Sequence, residues 1–410
     1  MLKKQKYDSE FCAIRTEIKV IHIEIIFVIL RHLFKDVESR FATSYMALPL
    51  WRNCHKFEMN CFKDMNDKKL SKMLVVAALA VAMAFVGCQN SSGNSAGQQS
   101  KPFPTDVETP AKVYFTSDIS PDGLVRVFEA LGIEPHGSVA VKISTGESSM
   151  SNHLRPELIG DLVGKVEGTL VECNTAYPGS RMKTEDHIRT IEEHGYNALG
   201  GVDIMDADGE MRIPVRDTTY MKYDIVGTHL ANYDFMINLA HFKGHAMGGF
   251  GGVLKNASIG VASSNGKAYI HTNGISEDAN HLWENVLPEN QDKFLECMGN
   301  AAAAVHDYFK RDGRNIVYID VMNNMSVDCD CDGDPEQPRL NDIGILASTD
   351  PVALDKACLD LVFNHADTDG DDAKPLQERI NRQHGLHIIP YSESIGLGTT
   401  DYVLINIDKE

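Results

Sequence analysis

The sequence predicts an α/β protein with a largely parallel sheet and flanking helices. Several short runs are almost continuously apolar, among them residues 235–239 and 315–321, which is typical of strands buried on both faces. Helical patterns lie between these runs, and two of them begin with a good N-cap followed by proline, Ser120-Pro121 and Asp350-Pro351. Alternation of the two kinds of segment favours a parallel sheet. The length fits one large domain or two closely packed lobes.

The individual elements follow from the same patterns. Strands are predicted at residues 138–143, 168–173, 235–239, 315–321, 343–347 and 402–407. Helices are predicted at residues 120–131, 155–166, 183–194, 276–287, 291–309, 352–363 and 376–384. Residues 202–215 read as a β-hairpin that turns at Asp208-Gly209. Since ligands of such sheets bind beyond the carboxyl ends of the strands, polar residues that directly follow a strand are the candidates for a site.

The N-terminal part predicts export rather than a fold. Residues 1–64 are irregular, and we expect them to be an upstream segment that is not translated, with the true start at Met65. Residues 65–72 are basic and residues 73–86 are apolar, which is the architecture of a secretory signal peptide. Its end, residues 85–88, resembles the lipobox of bacterial lipoproteins, so Cys88 would carry a lipid that anchors the protein on the periplasmic side of the cell envelope. Residues 89–104 read as a flexible linker and residues 105–410 as the folded domain.

Charge and cysteine content exclude two classes of protein. The formal net charge is −19, and nucleic-acid binding needs clustered Lys and Arg, so we expect no nucleic-acid partner. Five cysteines follow Cys88 without regular spacing, which does not indicate a disulfide framework. A small molecule or a metal ion remains as the expected ligand. The oligomeric state cannot be read from the sequence.

The stretch after the strand at residues 235–239 is the first candidate site. It begins with His241, Lys243 and His245, which combine metal-ligating imidazoles with a cation that can bind an anion. A glycine-rich segment follows, in which the backbone can approach a ligand closely; its members are Gly248, Gly249, Gly251 and Gly252. A predicted helical turn then carries Lys255 and Asn256, and His271 lies further along. The glycines match neither a Walker A loop nor a dinucleotide fingerprint.

The second candidate site is an acidic, cysteine-containing segment, residues 328–334, here called the Asp–Cys loop. Its ligand-type residues are Asp328, Cys329, Asp330 and Cys331, and it follows the predicted strand at residues 315–321. The beginning resembles a calcium-binding loop, but Arg339 occupies the twelfth position, where a glutamate is required. Two thiols one residue apart can bind a soft metal, although they cannot complete a four-ligand site alone.

Several segments together resemble the domain of unknown function 362 family. They are VAVKI, NLAHFKGHAMGGFGGVLKNASIG, VDCDCDG and DIGILASTDPVALDKACLDLV, and the resemblance spans residues 110–408. It implies an association with iron–sulfur centres, but this chain has no C-x-x-C-x-x-C run of the bacterial ferredoxin kind. The family's reaction is undefined.

A more distant similarity concerns lactate racemase-type proteins. The order His245, Lys255, His271 across a glycine-rich segment is similar to their site. The resemblance implies that Lys255 anchors a nickel-pincer nucleotide, that His271 ligates nickel and that His245 transfers the proton during racemisation of a hydroxy acid.

Three hypotheses follow. The first is an exported lipoprotein with a metal ion or an iron–sulfur centre and a redox role. Its site would be built from His241, His245, Lys255 and His271, and the Asp–Cys loop would approach this site or form a second one. The second is a nickel-pincer racemase or epimerase in which His245 and Lys255 are catalytic. The third is a non-enzymatic envelope protein that binds an anionic ligand through the glycines and through Lys142, Lys243 and Lys255.

Overall fold

The computed structural model describes residues 107–286 and 288–409. The predicted upstream segment, the signal peptide with Cys88 and the linker at residues 89–104 lie outside the described residues. The residues that the structure describes belong to one compact unit, Ser100–Glu410. Within the described ranges, no helix has the length and apolar character needed to cross a membrane.

Eight strands form the central sheet, in the order β12-β1-β11-β10-β7-β2-β3-β4. The strands along the chain are β1 (Ala111–Thr116), β2 (Val139–Lys142), β3 (Thr169–Glu172), β4 (Val202–Ile204), β5 (Glu210–Ile213), β6 (Asp224–Gly227), β7 (Phe235–His241), β8 (Lys243–His245), β9 (Gly249–Gly251), β10 (Asn315–Met322), β11 (Gly344–Ser348) and β12 (Tyr402–Asn406). Every pair of the large sheet is parallel except the two that β11 makes with β1 and β10. The prediction of a largely parallel α/β sheet is confirmed.

Helices cover both faces of this sheet. They are α1 (Pro121–Glu129), α2 (Pro156–Lys165), α3 (Thr184–Glu193), α4 (Val253–Ala257), α5 (Ser264–His271), α6 (Leu282–Asn285), α7 (Gln291–Phe309), α8 (Pro351–Phe363), α9 (Lys374–Arg382) and α10 (Ile388–Ser394). Both predicted N-caps are confirmed: Ser120 accepts from the N–H of Gly123, and Asp350 accepts from Val352 and Ala353.

The central strand β7 shows how the core is divided. Its residues are all buried, and successive side chains of a strand point to opposite faces. Ile237 and Leu239 belong to the cluster that contains α1 and α2, whereas Met236 and Ala240 belong to the cluster that contains α4, α7 and α8. The near-continuous apolar run that predicted this strand therefore serves two cores.

Two sequence expectations were wrong. Residues 202–215 do not form a hairpin, because β4 pairs with β3 in the large sheet, where Ile204 is buried, while β5 pairs with β6 in a separate two-stranded sheet. Residues 276–287 form only a 3₁₀ turn, Ala279–His281, and the short α6 instead of a continuous helix.

The chain order places four polar segments at one edge of the sheet. Lys142, Glu172 and His241 are the last residues of β2, β3 and β7, which run parallel to one another. The Asp–Cys loop follows β10, which is parallel to β7. Their carboxyl ends therefore lie at the same edge, where the site was expected.

Candidate metal centre

The glycine-rich stretch forms a small β-hairpin. Strands β8 and β9 pair antiparallel, with Lys243 opposite Gly251 and His245 opposite Gly249. Gly249 needs the left-handed backbone conformation, at φ +81°. Gly244 instead permits close approach: its N–H donates to the carbonyl of Ser326 at 2.8 Å, and a Cβ there would lie 2.2 Å from the carbonyl oxygen of Val327. This contact brings the chain that enters the Asp–Cys loop against β8.

A buried ionic network then fixes the Asp–Cys loop. The carboxylate of Asp330 lies 2.7 Å from Nδ1 of His241 and 2.8 Å from Nζ of Lys243, and all three residues are buried. Burial opposes ionisation of Asp330, but Lys243 and His241 hold its pKa well below its ordinary value. Nε2 of His241 lies 2.6 Å from the carbonyl of Asn323. Both ring nitrogens of His241 are thus engaged, and the network holds the loop.

Three ligand-type side chains converge next to this network. The ligand atoms of His245, Cys329 and Cys331 all lie within 4.8 Å of one another. A tetrahedral zinc site with thiolate bonds of about 2.3 Å and imidazole bonds of about 2.0 Å separates its ligand atoms by roughly 3.5 Å, so inward shifts on the order of 1 Å close the set. Two thiolates and one imidazole also occur together in catalytic zinc sites, where a fourth position stays open. The set therefore fits a thiophilic metal ion.

The electrostatics favour a thiolate in this cluster. The side-chain hydrogen bond with Cys331, together with Lys255 and His245, holds the pKa of Cys329 well below its ordinary value. Nζ of Lys255 lies 3.6 Å from Sγ of Cys329. A thiolate is the form that binds metal, so less proton release is needed at this ligand than at an ordinary cysteine.

The protonation state of His245 also affects metal binding. Its Nδ1 accepts from the N–H of Gly248 at 2.8 Å, so the neutral ring carries its proton on Nε2. Burial and then Lys255 lower the pKa of His245, which keeps the ring neutral. Metal ligation through Nε2 requires that proton to move to Nδ1, which costs the hydrogen bond from Gly248; the pH dependence of binding should come from the cysteine thiols, which must lose their protons.

Helix α4 positions Lys255 and Asn256. Asp355 of α8 accepts from the N–H groups of Val253 and Leu254 at 2.9 and 3.1 Å, which holds the first turn in place. The side chain of Asn256 accepts from Nζ of Lys142 at 3.1 Å and donates to the Lys142 carbonyl at 3.1 Å. The predicted helical turn is confirmed, and it ties the end of β2 to the cluster.

These groups surround a cavity of about 540 Å³. Eleven of the residues singled out from the sequence line it: Lys142, Lys243, His245, Gly251, Gly252, Lys255, Asn256, His271, Asp328, Cys329 and Cys331. His241, Gly248, Gly249 and Asp330 do not line it and instead support the hairpin and the loop. The two candidate sites of the sequence are therefore one site.

His271 lines the cavity but lies outside the three-residue cluster. Its Nδ1 lies 2.7 Å from the carbonyl of Lys267, and because a carbonyl only accepts, Nδ1 carries the proton. Burial lowers the pKa of His271 to about 4, and the ring stacks on Phe294 at 4.8 Å between centroids. His271 therefore presents a neutral ring whose Nε2 can accept.

The cavity also contains charged residues that were not predicted, among them Glu147, Glu172, Arg181 and Lys267. Arg181 and Glu172 form a buried ion pair at 3.0 Å, and Lys267 is 6% exposed. Only Lys267 had a usable signal, since it lies four residues before His271 on a predictable helix and therefore on the same face. The pairing of Arg181 with Glu172 depends on the fold of the segment that follows β3.

Comparison with known proteins places the chain in a family. The sequence pattern described as Domain of unknown function (DUF362) matches residues 139–360, more than half of the chain, and the chain belongs to this family. No curated protein matches it.

Two solved structures are similar to part of this chain. The lactate racemase apoprotein from Thermoanaerobacterium thermosaccharolyticum is 13% identical with a TM-score of 0.32, over 52% of this chain and 51% of that one. A structural-genomics target from Thermotoga maritima is 14% identical with a TM-score of 0.33, over 58% and 57%. The chain thus spans little more than half of either structure. Scores this low support no inference about activity.

Proposed function

We propose that the protein binds one thiophilic transition-metal ion through His245, Cys329 and Cys331 and leaves a coordination position open to a small molecule in the cavity. The convergence of the three ligand atoms within 4.8 Å carries the proposal. Cys329 is buried and Cys331 is half-buried, so both thiols are shielded. The cavity beside them offers space for a small molecule at the open position.

A single ion fits this set better than an iron–sulfur cluster. Clusters are generally held by four thiolates, and two of the five described cysteines belong to the converging set. Cys173 also lines the cavity, but burial raises the pKa of its thiol well above the ordinary value, and Sγ lies 3.2 Å from the carbonyl of Val261. A redox role then requires a redox-active ion such as iron.

Metal analysis of protein purified without oxygen tests the proposal. We expect close to one equivalent of metal in the wild-type protein, and its loss in His245→Ala, Cys329→Ser and Cys331→Ser. Cys297→Ser is the matched control, because this buried thiol lies outside both the cluster and the cavity lining. Stoichiometric metal in the three ligand variants, or no metal in the wild type after supplementation with zinc and with iron, would overturn the proposal.

A nickel-pincer racemase is the second candidate. The joint placement of His245, Lys255 and His271 along one cavity favours it. The bound nucleotide would supply hydride transfer, while His245 and His271 would contribute a neutral imidazole each. The intact mass of natively expressed protein should then exceed the sequence mass by an adduct that Lys255→Ala removes. An unmodified Lys255 in native protein contradicts this candidate.

We also propose that Cys88 is lipidated and anchors the domain at the periplasmic side of the envelope. The basic and apolar segments at residues 65–86 support this. Labelling of growing cells with a palmitate analogue should mark the protein, and Cys88→Ser should abolish the label and release the protein from membranes. Label that persists in Cys88→Ser contradicts the anchor.

A further inference from the structure

Two deeply buried lysines line the cavity in addition to the cluster. Lys142 is 0% exposed and Lys267 is 6% exposed. Neither makes an ion pair with any residue in the ranges that the structure describes; their ammonium groups contact carbonyl and amide oxygens. An ammonium group taken out of water without an anionic partner is costly. These two side chains therefore call for a compensating anion.

Both ammonium groups have N–H bonds that meet no hydrogen-bond acceptor among the described residues. Lys142 donates to the carbonyl of Ile143 at 2.5 Å and to Oδ1 of Asn256 at 3.1 Å, and Lys267 donates to the carbonyl of Ala262 at 2.6 Å. Since an ammonium has three N–H bonds, one remains at Lys142 and two remain at Lys267. Three donors suit the oxygens of a carboxylate or a phosphate group.

The acidic residues that line the cavity pair with arginines or face solvent and do not contact Lys142 or Lys267. Glu147 and Glu172 share Arg181, at 3.1 and 3.0 Å, and Asp328 pairs with Arg379 at 3.0 Å. Asp332 is exposed to solvent. Among the described residues, no carboxylate therefore lies within ion-pair distance of either ammonium group, and Glu172 acts on Lys142 only at longer range.

Gly260 keeps the ammonium of Lys142 accessible. A Cβ at this position would lie 2.9 Å from Nζ of Lys142 and 2.3 Å from the carbonyl oxygen of Asn256. A side chain there would occupy the space beside the donor. The glycine contributes to the cavity by its size, because its backbone does not need the left-handed conformation.

We propose that Lys142 and Lys267 form an anion subsite. The subsite holds the carboxylate or phosphate group of a small molecule, and the other end of that molecule reaches the open metal position. The placement of the molecule's other end rests on the proposed metal centre, whereas the anion subsite itself does not. A cavity of about 540 Å³ accommodates a small metabolite, so the substrate class is a small anionic molecule with a second donor group.

Isothermal titration calorimetry on the metal-free full-length chain tests the subsite, with inorganic phosphate and with acetate as probes at constant ionic strength. We expect at least one probe to bind, and the tighter one identifies the anionic group. Lys142→Met and Lys267→Met should each weaken binding by about tenfold or more, as expected for the loss of a hydrogen bond to a charged group. Lys374→Met is the matched control, because that side chain is 69% exposed.

Failure of both probes to bind, or equal binding by wild type and both lysine variants, would overturn the subsite. Circular dichroism checks the fold of each variant, and Lys267→Met decides alone if Lys142→Met does not fold. His245→Ala separates the two proposals, because it should lose metal and keep its phosphate affinity. Protein that binds no metal but loses phosphate in the lysine variants would refute the metal centre and leave the anion subsite standing.

Discussion

Replacement of Gly244 by alanine tests how the two halves of the site are joined. The added Cβ would lie 2.2 Å from the carbonyl oxygen, 2.5 Å from the carbonyl carbon and 2.7 Å from Cα of Val327. All three are backbone atoms, so no rotamer change relieves the overlap, and β8 must move away from the chain that leads to Cys329. Overpacking of this kind typically costs about 1–3 kcal/mol, and we expect the upper end of that range here. The hydrogen bond from the Gly244 N–H to Ser326 should weaken as well.

Gly248→Ala is the matched control in the same hairpin. Its Cβ would meet Nδ1 of His245 and the carbonyl of Phe250 at 3.4 Å, an ordinary contact, so the free energy of unfolding should change by less than about 1 kcal/mol. Urea unfolding of the metal-free variants measures both effects, and metal titration should show weaker binding by Gly244→Ala alone. Equal stability and equal metal affinity of the two variants would refute the account of how β8 and the Asp–Cys loop are packed.

Two further predictions concern buried carboxylates. Asp330→Asn leaves Lys243 buried without its partner, which should lower the free energy of unfolding in urea by about 3–5 kcal/mol and reduce metal affinity. Lys243→Met in the same chain should recover part of that stability. A loss below about 1 kcal/mol would show that the network does not hold the loop. Burial raises the pKa of Asp224 to about 7. The folded state therefore binds the proton of this carboxyl more tightly than the unfolded state does. Its contribution to stability is greatest at low pH and is lost as the pH rises from about 4 to about 7. Asp224→Asn should therefore raise the unfolding free energy at about pH 8 by up to about 4 kcal/mol and change it little at about pH 4, in urea titrations at both pH values; an equal effect at both would contradict the assignment.

The sequence was sufficient for the general location of the site. The apolar runs predicted β7 and β10, and parallel strands place their carboxyl ends at one edge, so the proximity of His245 to the Asp–Cys loop followed from chain order. The antiparallel direction of β11 could not be predicted from the sequence, because a strand buried on both faces shows the same apolar run in either direction.

The roles of individual residues were harder to predict. Cysteine and aspartate alternate in the Asp–Cys loop, and only the folded loop shows that Cys329 and Cys331 face His245 while Asp330 faces Lys243. The role of His241 depends likewise on the carbonyl of Asn323, which is distant in sequence. Contacts of this kind are set by tertiary packing.

X-ray absorption spectroscopy of the metal-loaded protein tests the metal centre most directly. We predict two sulfur neighbours at about 2.3 Å and one imidazole nitrogen at about 2.0 Å for zinc, with a further light atom at the open position. Cys329→Ser should lose the bound metal and with it the sulfur signal. A first shell of oxygen and nitrogen atoms without sulfur would contradict the assignment of His245, Cys329 and Cys331 as the ligands.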